Sequence, residues 1–219
     1  MESRAVRSYK LRGRRITEGQ QEAWERLWPI FGIEFVDHKI NLAEIFPDSN
    51  RVIMEIGFGM GEATAQIAAA DPTTGFLAVE VHRPGIGKLL SRIEEGNLKN
   101  LRAIEGDALE IFDHMIMDAS LDGVHLFFPD PWPKARHFKR RIVNQEFIAA
   151  VASKLKAGGS LHIATDWNSY AQWIAEEFTK QTSFTGGEVE RPDWRPLTRF
   201  EGQGINKEHP VTDFRFIKK

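Results

Sequence analysis

The sequence predicts an α/β fold, a doubly wound and mostly parallel sheet with helices on both faces. Three observations carry this expectation. Short apolar runs alternate with amphipathic stretches, and the runs end in glycine, proline or acidic residues. The 219 residues, 42% hydrophobic and 27% charged, suffice for one buried core. No internal repeat or low-complexity stretch interrupts the alternation.

Residues 20–33 form an amphipathic leading segment. "RVIMEIGFGMG" (51–61) reads as a buried strand running into glycines, and "EATAQIAAA" (62–70) as a helix stopped near Asp71 and Pro72. "GFLAVEVH" (75–82) is the second strand and "RPGIGKLLSRIEEGNL" (83–98) its helix. "LRAIEGDALEIF" (101–112) is a third strand entering a short helix, and "LDGVHLFFPDPWP" (121–133) a fourth strand broken by Pro129. "RRIVNQEFIAAVASKL" (140–155) and "GSLHIATDW" (159–167) supply the next helix and strand, and a last strand lies near Phe216. The expected organisation is a basic N-terminal arm with a leading helix over residues 1–33, then a single globular domain over 34–219.

The absence of cysteine excludes disulfides, thiolate metal sites and a cysteine nucleophile. The start lacks an apolar run behind its positive charges, and no stretch reaches the roughly 20 apolar residues of a membrane span, so a soluble, cytoplasmic chain is expected. The net charge of -2 argues against a surface coated with nucleic-acid-binding charge. Its distribution is uneven, however. Arg4, Arg7, Lys10, Arg12, Arg14 and Arg15 cluster at the start, and Lys134, Arg136, Lys139, Arg140 and Arg141 follow the fourth strand. A tail and a solvated face are the plain readings of such runs; a surface for a polyanion is the functional one.

In doubly wound sheets ligands bind beyond the carboxyl ends of the strands. Glu55 stands there beside Gly57, Gly59 and Gly61, spaced G-x-G-x-G, so the dinucleotide fingerprint G-x-G-x-x-G is not matched. Glu80 ends the second strand, where a carboxylate can accept ribose hydroxyls, and Asp107 closes the third. A pyrophosphate at the glycine turn would face Glu55, which electrostatics disfavours. A ribose-bearing ligand with positive charge of its own fits better, and S-adenosylmethionine meets that description. An NAD-type dehydrogenase is the competing reading, lacking a phosphate-friendly turn and a hydride-handling residue.

"FPDPWPK" followed by "RHFKRR", with "EIGFGMG" and "VEVHRPGIG" upstream and "TDW" and "TRFE" downstream, resembles the bacterial tRNA (guanine-N7-)-methyltransferase family. The likeness runs from about Arg12 to near Phe216. It implies a Rossmann-like, S-adenosylmethionine-dependent methyltransferase fold and methyl transfer to N7 of a guanine in the variable loop of tRNA. By similarity, Glu55, Gly57, Gly59, Glu80 and Asp107 contact the cofactor, and Asp130 is catalytic and reaches both ligands. Lys134, Asp166, Thr198, Arg199, Phe200 and Glu201 contact substrate. Arg136, His137, Phe138, Lys139, Arg140 and Arg141 form the RNA-binding run, with Phe138 where many members lead one to expect a second histidine.

Guanine N7 carries a lone pair and no proton, so in-line methylation there requires no general base and no metal. A carboxylate such as Asp130, fixed between prolines, can stabilise the cation that develops on the ring. Asp166 can alternatively cap the following helix, and Trp132 can stack on a base or cap the sheet. His82, His125, His137 and His162 lack metal-like spacing and read as core or surface histidines. The alternatives are a methyltransferase-fold RNA-binding protein without this activity and a small-molecule methyltransferase. Monomer and homodimer suit the composition equally.

Overall fold

The computed structural model describes residues 8–9, 16–197 and 210–219. Within them one sheet joins β1 (Gly32–Ile33), β2 (Arg51–Ile56), β3 (Thr74–Glu80), β4 (Leu101–Glu105), β5 (Leu121–Phe127), β6 (Leu155–Thr165), β7 (Phe184–Val189) and β8 (Thr212–Lys218). The spatial order is β1-β4-β3-β2-β5-β6-β8-β7. Strands β1 to β6 run parallel to one another, while β8 pairs antiparallel with both β6 and β7. The chain winds outward from β2 in one direction to β3 and β4, then returns to β5 and β6 on the other side. The boundary between β2 and β5 is therefore the switch point at which such sheets open a crevice.

Helices cover both faces: α1 (Glu18–Phe31), α3 (Glu62–Ala70) and α4 (Arg83–Glu95) on one, and α2 (Leu42–Ile45), α5 (Ala108–His114), α6 (Gln145–Lys154) and α7 (Asn168–Thr179) on the other. Strand β3 shows why its run is continuously apolar. Leu77 and Val79 enter the core beneath α5, α6 and α7, whereas Phe76 and Ala78 enter the core beneath α1, α3 and α4. Helix α1 starts with a capping box, in which Thr17 N–H donates to Gln20 Oε1 at 2.9 Å and Gln20 N–H to Thr17 Oγ1 at 3.3 Å. Its Ala23, Leu27 and Trp28 share a core with Ile86, Leu89, Leu90 and Ile93 of α4.

The strand and helix alternation expected from the sequence is present, with local differences. The helix expected over 140–155 begins only at Gln145, where Asn144 Oδ1 accepts from Phe147 N–H at 3.0 Å, and a separate 3-10 helix at Ala135–Arg140 precedes it. Strand β6 begins at Leu155, earlier than the apolar run, and its pairing with β5 shifts register between Leu121 and Gly123. Strand β7, "FTGGEV", is held by pairing with β8 despite two glycines that weaken any strand pattern. Among the described residues no helix is long and apolar enough to cross a membrane.

Candidate active site

At the switch point the ends of β2, β3, β4 and β5 surround a cleft of about 240 Å3. Gly57, Glu80, Asp107 and Asp130 line it, and its apolar wall includes Ile56 and Leu126. Among the described residues, no lysine or arginine lines it. Three carboxylates without a cation favour a positively charged ligand and oppose a pyrophosphate.

The glycine turn after β2 explains its own composition. Gly57, Gly59 and Gly61 have φ of 74°, 60° and 68°, a region that side chains disfavour. The space in front of Gly57 and Gly59 is open, since a Cβ at either would meet no atom within 4 Å. A second requirement falls on Gly85 at the start of α4, where a Cβ would stand 2.0 Å from Gly59 O. Glycine there lets α4 abut the turn.

Glu80 stitches this region together. Its Oε2 accepts from Gly59 N–H at 2.9 Å, and its Oε1 accepts from Val81 N–H at 2.7 Å and His82 N–H at 3.0 Å. Burial raises its pKa while these three donors pull it back down. Of the roughly four acceptor positions on a carboxylate, the backbone takes three, which leaves Oε2 one direction for a ligand hydroxyl. Asp107 is the N-cap of α5, with Oδ1 accepting from Leu109 N–H at 2.9 Å. It lines the cleft beside Ala108.

Glu55 differs from the other acids. It does not line the cleft; it is buried behind the glycine turn on the face of α3, and its Oε2 has no hydrogen-bond partner among the described residues. Burial pushes its pKa up to about 7, a shift opposed by the nearby Thr64 hydroxyl and reinforced by Glu80. In the unfolded chain the same carboxyl titrates at its ordinary value of 4.5. The folded state therefore holds an extra proton between the two values, and stability falls as pH rises through that window. The expected loss from this residue is about 3 kcal/mol between pH 4.5 and pH 8. Denaturant unfolding across this range checks it: Glu55→Gln should flatten the profile, and parallel profiles for the two proteins would reject the assignment.

Asp130 lies on a corner built just past β5. Phe128 N–H donates to Ala164 O at 2.8 Å, which ties the ends of β5 and β6 together. Phe128 and Trp132 hold φ of 52° and 43°, left-handed conformations that disfavour non-glycine residues by about 1–2 kcal/mol each. Pro129 and Pro131 restrain the residues between them. Trp132 is buried; its Nε1 donates to Ser8 O at 2.8 Å and the Arg140 guanidinium lies 4.1 Å from its ring centroid. Trp132 thus caps the corner. Asp130 itself is exposed at the cleft rim.

The basic run sorts its side chains by direction. Lys134, Arg136 and Lys139 are exposed, while His137 and Arg140 approach Trp132. Arg141, expected in the RNA-binding run, is instead only 2% exposed. Its Nε donates to Pro131 O at 3.0 Å, and its guanidinium lies over the rings of Phe138, Tyr170 and Trp173. A side chain so enclosed cannot reach a phosphate in this arrangement.

Lys134 and Asp166 do not line the cleft. Asp166 follows β6, two residues beyond Ala164, and is half-buried; the N-cap position of α7 belongs to Trp167, without a side-chain cap. Thr198, Arg199, Phe200 and Glu201 lie outside the described residues, as do Arg4, Arg7, Lys10, Arg12, Arg14 and Arg15. Sequence reading missed Ser8, Tyr9 and His82, which line the cleft; only the strand-end position of His82 signalled it. His162 Nε2 is 2.7 Å from Asp213 Oδ1, whose carboxylate also accepts from Arg195, so this histidine is satisfied in the core. His125 is buried with Nδ1 unpartnered among the described residues, and burial with His162 nearby pushes its pKa down to about 3.

Residues 49–214 match the family described as "Putative methyltransferase". The tRNA (guanine-N(7)-)-methyltransferase of Streptomyces avermitilis is 47% identical over 97% of this chain and 75% of its own length. The enzyme of the same name from Methylobacillus flagellatus is 46% identical over 99% of this chain and 92% of its own. The chain belongs to the tRNA (guanine-N(7)-)-methyltransferase family. In backbone it is similar to the solved structure of the 16S rRNA methyltransferase KamB, with a TM-score of 0.61 at 13% identity, covering 81% of this chain and 93% of that one. That likeness establishes the Rossmann-like methyltransferase fold. As a member of the tRNA (guanine-N(7)-)-methyltransferase family, the chain is an S-adenosylmethionine-dependent methyltransferase. The residues fit that cofactor, since the open glycine turn admits a close ligand and the carboxylate-lined cleft favours a cationic one.

Proposed function

We propose that the chain methylates N7 of a guanine in the variable loop of tRNA, acting in the cytoplasm. The observation that carries this reading is adjacency: a cleft with three carboxylates and no described cation lies within a few residues of an exposed cationic turn. The curated relatives bearing this activity in their names support it.

Bound S-adenosylmethionine supplies a methyl group on a cationic sulfur. Glu80 Oε2 would accept a ribose hydroxyl, with Gly57, Gly59 and Asp107 forming the rest of the cradle and Glu55 lying buried behind the turn. Asp130, at the rim, would face the guanine ring. N7 has no proton to surrender, so no residue need act as a base. Asp130 instead provides fixed negative charge where the ring becomes cationic, and the corner holds it there without reorganisation. Lys134, Asp166 and residues 198–201 would hold the base and its neighbours, while Arg136, Lys139 and Arg140 would hold phosphates. Because N7 is crowded in folded RNA, opening of the loop to expose the base belongs to this reading.

Nucleosides from tRNA incubated with the protein and methyl-labelled S-adenosylmethionine provide the test. Label in 7-methylguanosine from the variable loop is the expected result. Label in another nucleoside, or none with a protein that binds the cofactor, would overturn the reading.

A further inference from the structure

Arg141 is among the largest fully buried side chains of the described structure, and family resemblance gives it to RNA. Its surroundings give it different work. The 3-10 helix at Ala135–Arg140 has three residues per turn, so side chains three apart share a face. Phe138 and Arg141 form the inward face, Arg136 and Lys139 the outward one, and His137 and Arg140 the face toward Trp132. The Arg141 guanidinium lies 3.9 Å from the centroid of Phe138 and 5.0 Å from those of Tyr170 and Trp173. That cage holds the cation by its ring quadrupoles.

The cage is itself fastened. Val143 N–H donates to Tyr170 Oη at 3.3 Å, Trp173 Nε1 donates to Val143 O at 2.7 Å, and Asn144 Nδ2 donates to Arg141 O at 3.3 Å. From this anchorage Arg141 Nε reaches Pro131 O, the carbonyl of the residue after Asp130. Nη2 is buried with no hydrogen-bond partner among the described residues, so one donor of a desolvated cation goes unused. An apolar side chain would avoid that cost, whereas only a directional donor on a rigid stem can pin one carbonyl.

We propose that Arg141 is a positioning residue: held in an aromatic cage, it fixes Pro131 and thereby sets the place of the Asp130 carboxylate at the cleft rim. This rests on the reading of Asp130 as the charge facing the substrate base. Lysine keeps the charge at this position but lacks the planar Nε donor, so Arg141→Lys frees the corner without emptying the site.

Single-turnover methylation of tRNA, together with tRNA binding over a salt series, tests this on Arg141→Lys, Asp130→Asn and the double variant. Arg141→Lys should lower the methylation rate by about 10-fold to 100-fold, with tRNA affinity and its salt slope within twofold of the parent. The double variant should be no slower than Asp130→Asn alone, because displacing a group already neutralised changes nothing. Phe138→Leu, which removes one wall of the cage, should slow methylation in the same direction if Arg141→Lys fails to fold. A salt slope reduced by about one in Arg141→Gln, which removes the charge that Arg141→Lys keeps, would return Arg141 to the RNA surface. Unchanged methylation in both Arg141→Lys and Phe138→Leu, beside a slow Asp130→Asn, would overturn the positioning role alone. A fully active Asp130→Asn would overturn the reading of Asp130 beneath it.

Discussion

Asp130→Asn is expected to lower turnover by about 100-fold with both ligands saturating, while leaving their affinities close to those of the parent. The exchange preserves shape and removes one negative charge. In the free chain that charge is exposed at the rim, where water screens it. Covering by RNA strips the water away, so the carboxylate acts most strongly once the substrate ring is in place and gaining charge. The effect therefore belongs in the rate and not in the binding constant. Pre-steady-state methylation, with tRNA and cofactor binding measured separately, checks this. Full turnover in a variant that binds both ligands would remove Asp130 from the chemistry.

Neutralising Arg136, Lys139 and Arg140 together to glutamine is expected to weaken tRNA binding by about one to two powers of ten at low salt. The plot of log affinity against log salt should become shallower by about two to three. Each lost phosphate contact leaves one condensed counterion unreleased, which is why the slope counts contacts. Filter binding or fluorescence titration at several salt concentrations gives the slope directly. An unchanged slope would take these three side chains off the RNA surface. Cofactor binding in the absence of tRNA should not move, because none of these three side chains lines the cleft.

The fold was legible wherever a run of side chains had one period. Strands β2, β3 and β5 are buried on both faces and advertise it with unbroken apolar stretches. Strand β1 and helix α2 are too short for any period, and β7 owes its existence to its partner β8 and not to its own residues. Glu80 and Asp107 were readable as cleft acids because a strand end in a doubly wound sheet is a defined place. Glu55 was readable as an acid at that place but not as one facing away from the cleft, since strand alternation reverses direction with each residue. The buried place of Arg141 was hidden for a related reason. Five basic residues in eight report charge, and only the local helix type says which way each one points. Phe138, three positions earlier, was the available signal.

That same three-residue phase gives the stretch from 135 to 141 an uncommon intolerance. Surface connections ordinarily absorb added or deleted residues with little harm. Here a single insertion among residues 136–140 would advance every later side chain by a third of a rotation, carrying Arg140 away from Trp132 toward the aromatic cage and turning Arg141 toward solvent. The length of this connection is as constrained as that of any strand in the sheet.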